Sequence, residues 1–207
     1  MRKTRSRTLE PQQARSRESL QRLLTAAIEV LAKHGVDGTT IPRIARHAGL
    51  SPGAVYRRFH DKDALLETAL LGMLEQQEKA MRGFTPEMAR EIPLRVLAEQ
   101  IINSLVIGYR ARAPLIRAMR QFVHGRDHRT PFWKKASGLE VRNYQRLVNL
   151  FLTHEGRINH PDPGTAVSTA LMMVISTVLE IVVRRQDLSR WKGLIPKDDQ
   201  ALKRELT

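Results

Sequence analysis

Residues 40 to 62, TIPRIARHAGLSPGAVYRRFHDK, constrain this chain more than any other stretch. Thr40 is placed to cap a helix by accepting a backbone N–H. Pro42 falls in the first turn, where its missing N–H breaks no hydrogen bond. Ile41, Ile44, Ala45 and Ala48 are spaced by three and four, so they share one helix face. Gly49 supplies the left-handed residue that a helix needs to stop and turn at once. Leu50 closes the corner, Ser51 caps a second helix, and Pro52 suits its first position. Val55 and Phe59, four apart, turn inward, and Asp61 caps a further helix from Lys62. Two short helices at a fixed angle follow, with Pro52, Gly53, Ala54, Tyr56, Arg57 and Arg58 across the open surface. That is a helix-turn-helix, built to enter a groove of DNA.

Charge points the same way. The chain has 207 residues, a net charge of +14 and a sequence pI near 11.0, which implies a polyanionic partner. Residues 1 to 60 hold twelve Lys and Arg against four Asp and Glu, whereas residues 61 to 207 hold 23 against 17. The excess is concentrated around the helix-turn-helix, as counterion release from phosphates would favour.

The residues Thr39-Thr40, Ile44-Ala45, Ala48-Gly49-Leu50-Ser51, Gly53, Val55-Tyr56, Phe59, Lys62 and Leu65 together resemble the DNA-binding signature of the tetracycline-repressor (TetR) type of bacterial regulators. The resemblance covers residues 15 to 70, and the joint spacing makes it specific. It implies phosphate contacts from Thr40 and Lys62, and a phosphate or sugar contact from Tyr56. Pro52, Gly53 and Arg57 would face the base edges, and Arg43 and Arg58 the DNA backbone; Ser51 belongs to the same surface. Arg57 is the residue suited to a guanine, since a guanidinium donates two bonds to O6 and N7. The family often has polar side chains where Pro52 and Gly53 stand, so base reading here leans on Arg57, apolar contact and DNA shape.

The remaining pattern is helical. The expected fold class is all-α: an N-terminal three-helix helix-turn-helix head, joined by a fourth helix to a C-terminal helical bundle that dimerises. The expected divisions are a disordered basic arm over residues 1–14, a DNA-binding domain over 15–61, and a ligand-binding and dimerisation domain over 62–207 with 62–81 as connector. Helix one is expected from about Arg17 to His34, with Gly35 ending it. In the body, separate helices are expected over Pro86–Arg112, Pro114–His124, 131–154 and 163–185, with Pro93 as a break. Thr165 to Val183 carries a single charge, Glu180. Its Ser and Thr residues leave the uninterrupted apolar part short of the ~20 residues that span a bilayer. A buried helix at a subunit interface is expected, not a membrane contact. The resemblance implies that helices 131–154 and 163–185 pair with their twins into a homodimer.

A regulator of this kind would bind double-stranded DNA at a palindromic operator, as a repressor released by a small-molecule effector. Ile101, Leu105, Tyr109, Met119, Phe122, Tyr144, Met172 and Met173 are the candidate lining residues for a small apolar or aromatic ligand; the methionines suit a plastic site. A protein partner in place of a small molecule, or no effector, are the alternatives, as is a purely architectural DNA binder. A metal-dependent enzyme using His124 and His128 is the alternative of another class. However, Gly125 makes that segment a loop without the glutamate of an HExxH site. No glycine-rich phosphate loop, GxSxG elbow or cysteine nucleophile is present. No cofactor, metal site or catalytic residue is therefore expected. The absence of cysteine fits a reducing cytosol, and the polar start MRKTRSRTLEPQQ is no secretory signal, so a cytoplasmic location is expected.

Overall fold

A computed structural model describes residues 10–124, 126–184 and 191–207. Among them are nine α-helices: α1 (Glu10–Gly38), α2 (Ile41–His47), α3 (Pro52–Tyr56), α4 (Lys62–Met81), α5 (Pro86–Arg90), α6 (Leu94–Val123), α7 (Pro131–Leu152), α8 (Pro163–Val178) and α9 (Asp199–Leu206). The described residues form no strand beyond one isolated bridge between Lys192 and Ile195. The chain divides into two units between Gly72 and Met73, a point within α4.

The first unit is built by local rules. Gly35 (φ 66°, ψ −175°) interrupts α1 in a region open to glycine. Thr39, fully buried, donates its hydroxyl to Gly35 O at 2.5 Å and so ties the bend. Thr40 accepts from Arg43 N–H and Ser51 from Ala54 N–H, and each starts a helix with proline in its first turn. Asp61 accepts from Ala64 N–H at 2.7 Å to start α4. Leu23, Ala27 and Leu31 of α1, Ile44 and Ala45 of α2, Val55 of α3 and Leu65, Leu66 and Leu70 of α4 are all but inaccessible to water. At ~25 cal/mol per Å² this burial is the main force that holds the short α2 and α3, which would not be helical alone. The expected start near Arg17 is corrected: α1 begins at Glu10, so residues 10–14 of the expected arm are helical. Pro11 suits a first turn, and Gln12, Gln13 and Ala14 tolerate helix well. The rest of that arm, residues 1–9, lies outside the described residues.

The second unit packs α5 to α9 around three apolar clusters. Ala89, Leu97, Ile101 and Leu150 join α5, α6 and α7. Val148, Val167 and Leu171 join α7 and α8. Ile102, Val106, Val178, Ile181, Val182 and Leu202 join α6, the end of α8 and α9. Past Val178 the chain widens into a π-helical turn, Leu179–Arg184, whose Val183 carbonyl accepts from Arg117 of α6 at 3.0 Å.

Two expectations change in this unit, and the break expected at Pro93 is present. Pro114 begins no helix; it lies inside the continuous α6. An internal proline costs ~3 kcal/mol, but Ile102 and Val106 before it and Leu115, Ala118 and Phe122 after it are all buried, and their packing holds one axis. Residues 86–93 are a separate short α5 and its turn, with Pro93 as the first cap of α6. Finally, Pro163–Val183 is long and apolar enough to cross a membrane by length and composition, with a mean hydropathy of 2.1 and 33% of it buried. The expected end of that helix at residue 185 lies outside the described residues.

A buried acid ties the second half of α4 to α7. Glu78 accepts from Arg82 at 2.9 and 3.0 Å and from Arg146 at 3.1 Å, and Lys135 of α7 pairs with Glu75 at 2.6 Å. The hydrogen bonds from Arg82, reinforced by the charges of Arg82, Arg146 and Arg142, hold the Glu78 carboxyl below its ordinary value of 4.5. A depressed folded-state pKa adds stability above the unfolded value, and that stability is lost as pH falls through the folded pKa. Glu78→Gln should therefore lower the melting temperature at about pH 6, and the gap from wild type should close toward about pH 3. Thermal melts across that range check it; a gap independent of pH would mean the charge contributes nothing.

Candidate functional site

The buried side of α3 decides what its other side offers. Val55 is fully buried and Phe59 half-buried, so the residues between them point outward. Tyr56 is 56% exposed, and Pro52, Gly53, Arg57 and Arg58 are exposed with it. The turn before α3 has the geometry that its glycine predicts: Gly49 has φ 68°. A Cβ at Gly49 would meet nothing within 4 Å, so backbone conformation alone demands glycine there. Leu50 N–H donates to Ala45 O at 2.8 Å across the turn.

The basic groups around α3 differ in how they are held. Arg58 Nη2 donates to Ser16 Oγ and O at 3.3 and 3.4 Å, which anchors the end of α3 to the start of α1. Arg43 donates to Gly38 O, and Lys62 Nζ to Val36 O at 3.3 Å, with two further ammonium protons to offer. The Arg57 guanidinium makes no hydrogen bond or ion pair with any described residue, while its backbone N–H donates to Gly53 O at 3.2 Å and closes α3 as the C-cap. Tyr56 is likewise free. The Thr40 hydroxyl accepts from Arg43 N–H, which leaves its own proton for an external acceptor. The surface is thus a rigid ledge with cations held on its rim and one unpartnered guanidinium on its front. Sequence reasoning missed the Arg58–Ser16 link and the His47–Glu29 pair at 2.6 Å that joins α2 to α1. Both depend on where α1 passes, which no local pattern reveals.

In the second unit the candidate pocket residues separate. Ile101 and Leu105 belong to the cluster of α5, α6 and α7, and Tyr109 packs on the cluster shared with α9. Phe122 is buried edge-on against Phe132, with ring centroids 6.3 Å apart, and Met119 is half-buried. Tyr144, Met172 and Met173 come together, but on the outside: with Ser168 and Thr169 they line an open groove of about 310 Å³. The Tyr144 hydroxyl donates to Ser168 O, while Met172 and Met173 are 54% and 65% exposed. A second hollow of about 620 Å³ lies between the end of α6 and the start of α7, lined by Arg120, Gln121, Val123, His124, His128, Trp133 and Glu140. Sequence reasoning did not single out Glu140, though its register with Ala136, Leu139 and Asn143 on α7 was a usable signal.

The histidines have other occupations. His128 stacks edge-on against Trp133 at 4.3 Å, and Asp127 is engaged by Arg129. His154 is buried, with Nε2 3.1 Å from Ala89 O. No group of three potential metal ligands occurs among the described residues.

Comparison with known proteins bears on the first unit most directly. The family of bacterial regulatory proteins, tetR family, matches residues 23–69. The HTH-type transcriptional regulator TtgW of Pseudomonas putida, itself uncharacterized, is 37% identical over 78 residues, 38% of this chain. That match spans about half of the relative's length, 56%. The HTH-type transcriptional regulator UidR of Escherichia coli is 21% identical over 178 residues, 86% of this chain and 88% of its own. A crystal structure of a TetR-family regulator from Mesorhizobium loti superposes with a TM-score of 0.66, at 19% identity, over 93% of this chain and 95% of that one, which shows the shared all-α fold. The turn signature and the matched segment give the chain a DNA-binding head of the TetR type of bacterial regulators over residues 23–69, within an all-α fold.

Proposed function

We propose that this protein is a sequence-specific DNA-binding repressor that acts as a homodimer on a palindromic operator and is released by a small molecule bound in its second unit. The observation that carries the DNA reading is the exposed, unpartnered Arg57 beside Tyr56 on a short helix whose opposite side is fully buried. Arg57 reads a guanine, Pro52 and Gly53 approach the base edges, and Thr40, Tyr56 and Lys62 hold phosphates, with Arg43 and Arg58 beside them. Ser51 keeps its capping role at the start of α3.

The dimer reading rests on α8. Two thirds of its apolar window is unburied within one chain, and Val141 on α7 adds a further apolar side chain, 66% exposed. Contiguous exposed apolar surface of this kind marks an interface. A second copy fits it because a palindromic operator presents two half-sites about 34–36 Å apart, one turn of DNA, which call for two identical heads. Because α4 contributes to both units, a ligand that shifts its ion pairs to α7 would move the head. Moving a population from 1:99 to 99:1 needs ~5.5 kcal/mol of differential binding. A cytoplasmic location follows from the DNA partner.

Selection from a random duplex pool should return two inverted half-sites with centres about 10 base pairs apart. On that operator Arg57→Ala should cost about 1–3 kcal/mol and relax discrimination at one base position, whereas Tyr56→Phe should weaken all sequences modestly. Equal losses on every sequence would make Arg57 a phosphate contact instead. Met173→Glu should convert a dimer to a monomer in light scattering and lower operator affinity about a hundredfold through lost bivalency. A dimer that survived the substitution would move the interface elsewhere.

A further inference from the structure

We infer that α1 carries a second DNA-binding element. Its first turns project past the core of the head and set Arg15 and Arg17 on backbone phosphates beside the groove that α3 enters. This element rests on the DNA-binding reading above and adds to it two residues and a kind of contact.

The burial of α1 stops before the helix does. Towards the N-terminus, Leu31, Ala27 and Leu23 are each fully buried, Leu20 is half-buried, and residues 13 to 18 are all exposed. At a rise of 1.5 Å per residue, Arg15 stands about 12 Å beyond Leu23 along the axis. The overhang Gln13-Ala14-Arg15-Ser16-Arg17-Glu18 holds no large apolar side chain. Its helix therefore serves no core; it carries polar and charged groups outward.

One contact outside α1 fixes where the overhang lies. Arg58, just past α3, donates from Nη2 to Ser16 Oγ at 3.3 Å and to Ser16 O at 3.4 Å, across 42 positions of sequence. Ser16 is thereby held against the element that carries Tyr56 and Arg57. Arg15 and Arg17 are its immediate neighbours, and an advance of about 100° per residue puts one on each flank of Ser16. Glu18 falls about 200° from Ser16, on the face turned away from α3. The overhang has sorted its charge, with bases beside α3 and the acid behind. Neither Arg15 nor Arg17 forms a hydrogen bond or ion pair with any described side chain. Exposed arginines without partners are common on a chain with 35 Lys and Arg; the place of these two, around the one residue of α1 that Arg58 grips, sets them apart. A guanidinium pairs with phosphate oxygens through two parallel N–H donors, whatever the base. The contacts at Arg15 and Arg17 thus position the head on the duplex and leave base reading to α3.

The test uses the full-length protein with Arg15→Gln, Arg17→Gln and, as a control, Arg22→Gln. Arg22 lies on the same flank as Arg15 but about 10 Å further along α1, away from the Arg58 contact. Glutamine keeps the helix propensity of arginine, and circular dichroism and thermal melting verify the fold of each variant. Binding to the selected operator and to a shuffled duplex is measured from about 50 to 200 mM salt. Arg15→Gln and Arg17→Gln should each weaken both duplexes by the same factor and lower the salt exponent by about 0.9, so that the deficit shrinks about threefold across that range. Arg22→Gln should leave the exponent unchanged. Ethylation interference identifies the contacts: a phosphate whose ethylation blocks the wild-type protein should become harmless to the variant that has lost its partner. Exponents unchanged in Arg15→Gln and Arg17→Gln overturn the inference. So does an equal drop in Arg22→Gln, which would make the attraction diffuse. Operator affinity that depends on Arg57 but not on Arg15 or Arg17 would sink this element alone and leave the DNA-binding reading standing, whereas failure to bind any duplex would sink both.

Discussion

The left-handed residue at Gly49 is the constraint on which the head depends. With φ at 68° the chain reverses in one residue, and α3 is thrown back onto α2 close enough that Ala45 and Val55 are both fully buried. Val55 cannot be inward unless Tyr56 and Arg57 are outward, because α3 is only five residues long and has no room to rotate. The chemistry of the exposed surface is therefore a consequence of packing behind it. A flexible loop could carry the same arginine, but the entropy of ordering it would then oppose binding.

The same logic, with opposite sign, operates on α8. There the apolar residues exceed what one chain can cover: Val167, Leu171 and Val178 are buried, yet Met172 and Met173 between them are not. A helix apolar on most sides must find cover on most sides. In the head, exposed surface is charged and in excess of any internal partner; on α8 it is apolar and in excess of any internal core. On the proposed reading each surplus meets a partner of a different class, a polyanion for the first and a matching apolar face for the second.

What could be read from residues alone was what local rules control. The caps at Thr40, Ser51 and Asp61, the stop at Gly35, the turn at Gly49 and the inward Val55 all follow from interactions within a few positions. The body was less legible because its outcomes are set by distant pairs. Pro114 reads as a helix start until Ile102 and Phe122 are seen to share one continuous buried side. The C-terminal segment reads as polar, yet Leu202 of α9 is 1% exposed, packed on Ile102 and Val106 about a hundred positions earlier. The candidate pocket failed to gather for the same reason: helical spacing says which residues share a face, not which faces meet. Tyr109 and Ile101 lie on one helix but serve different clusters.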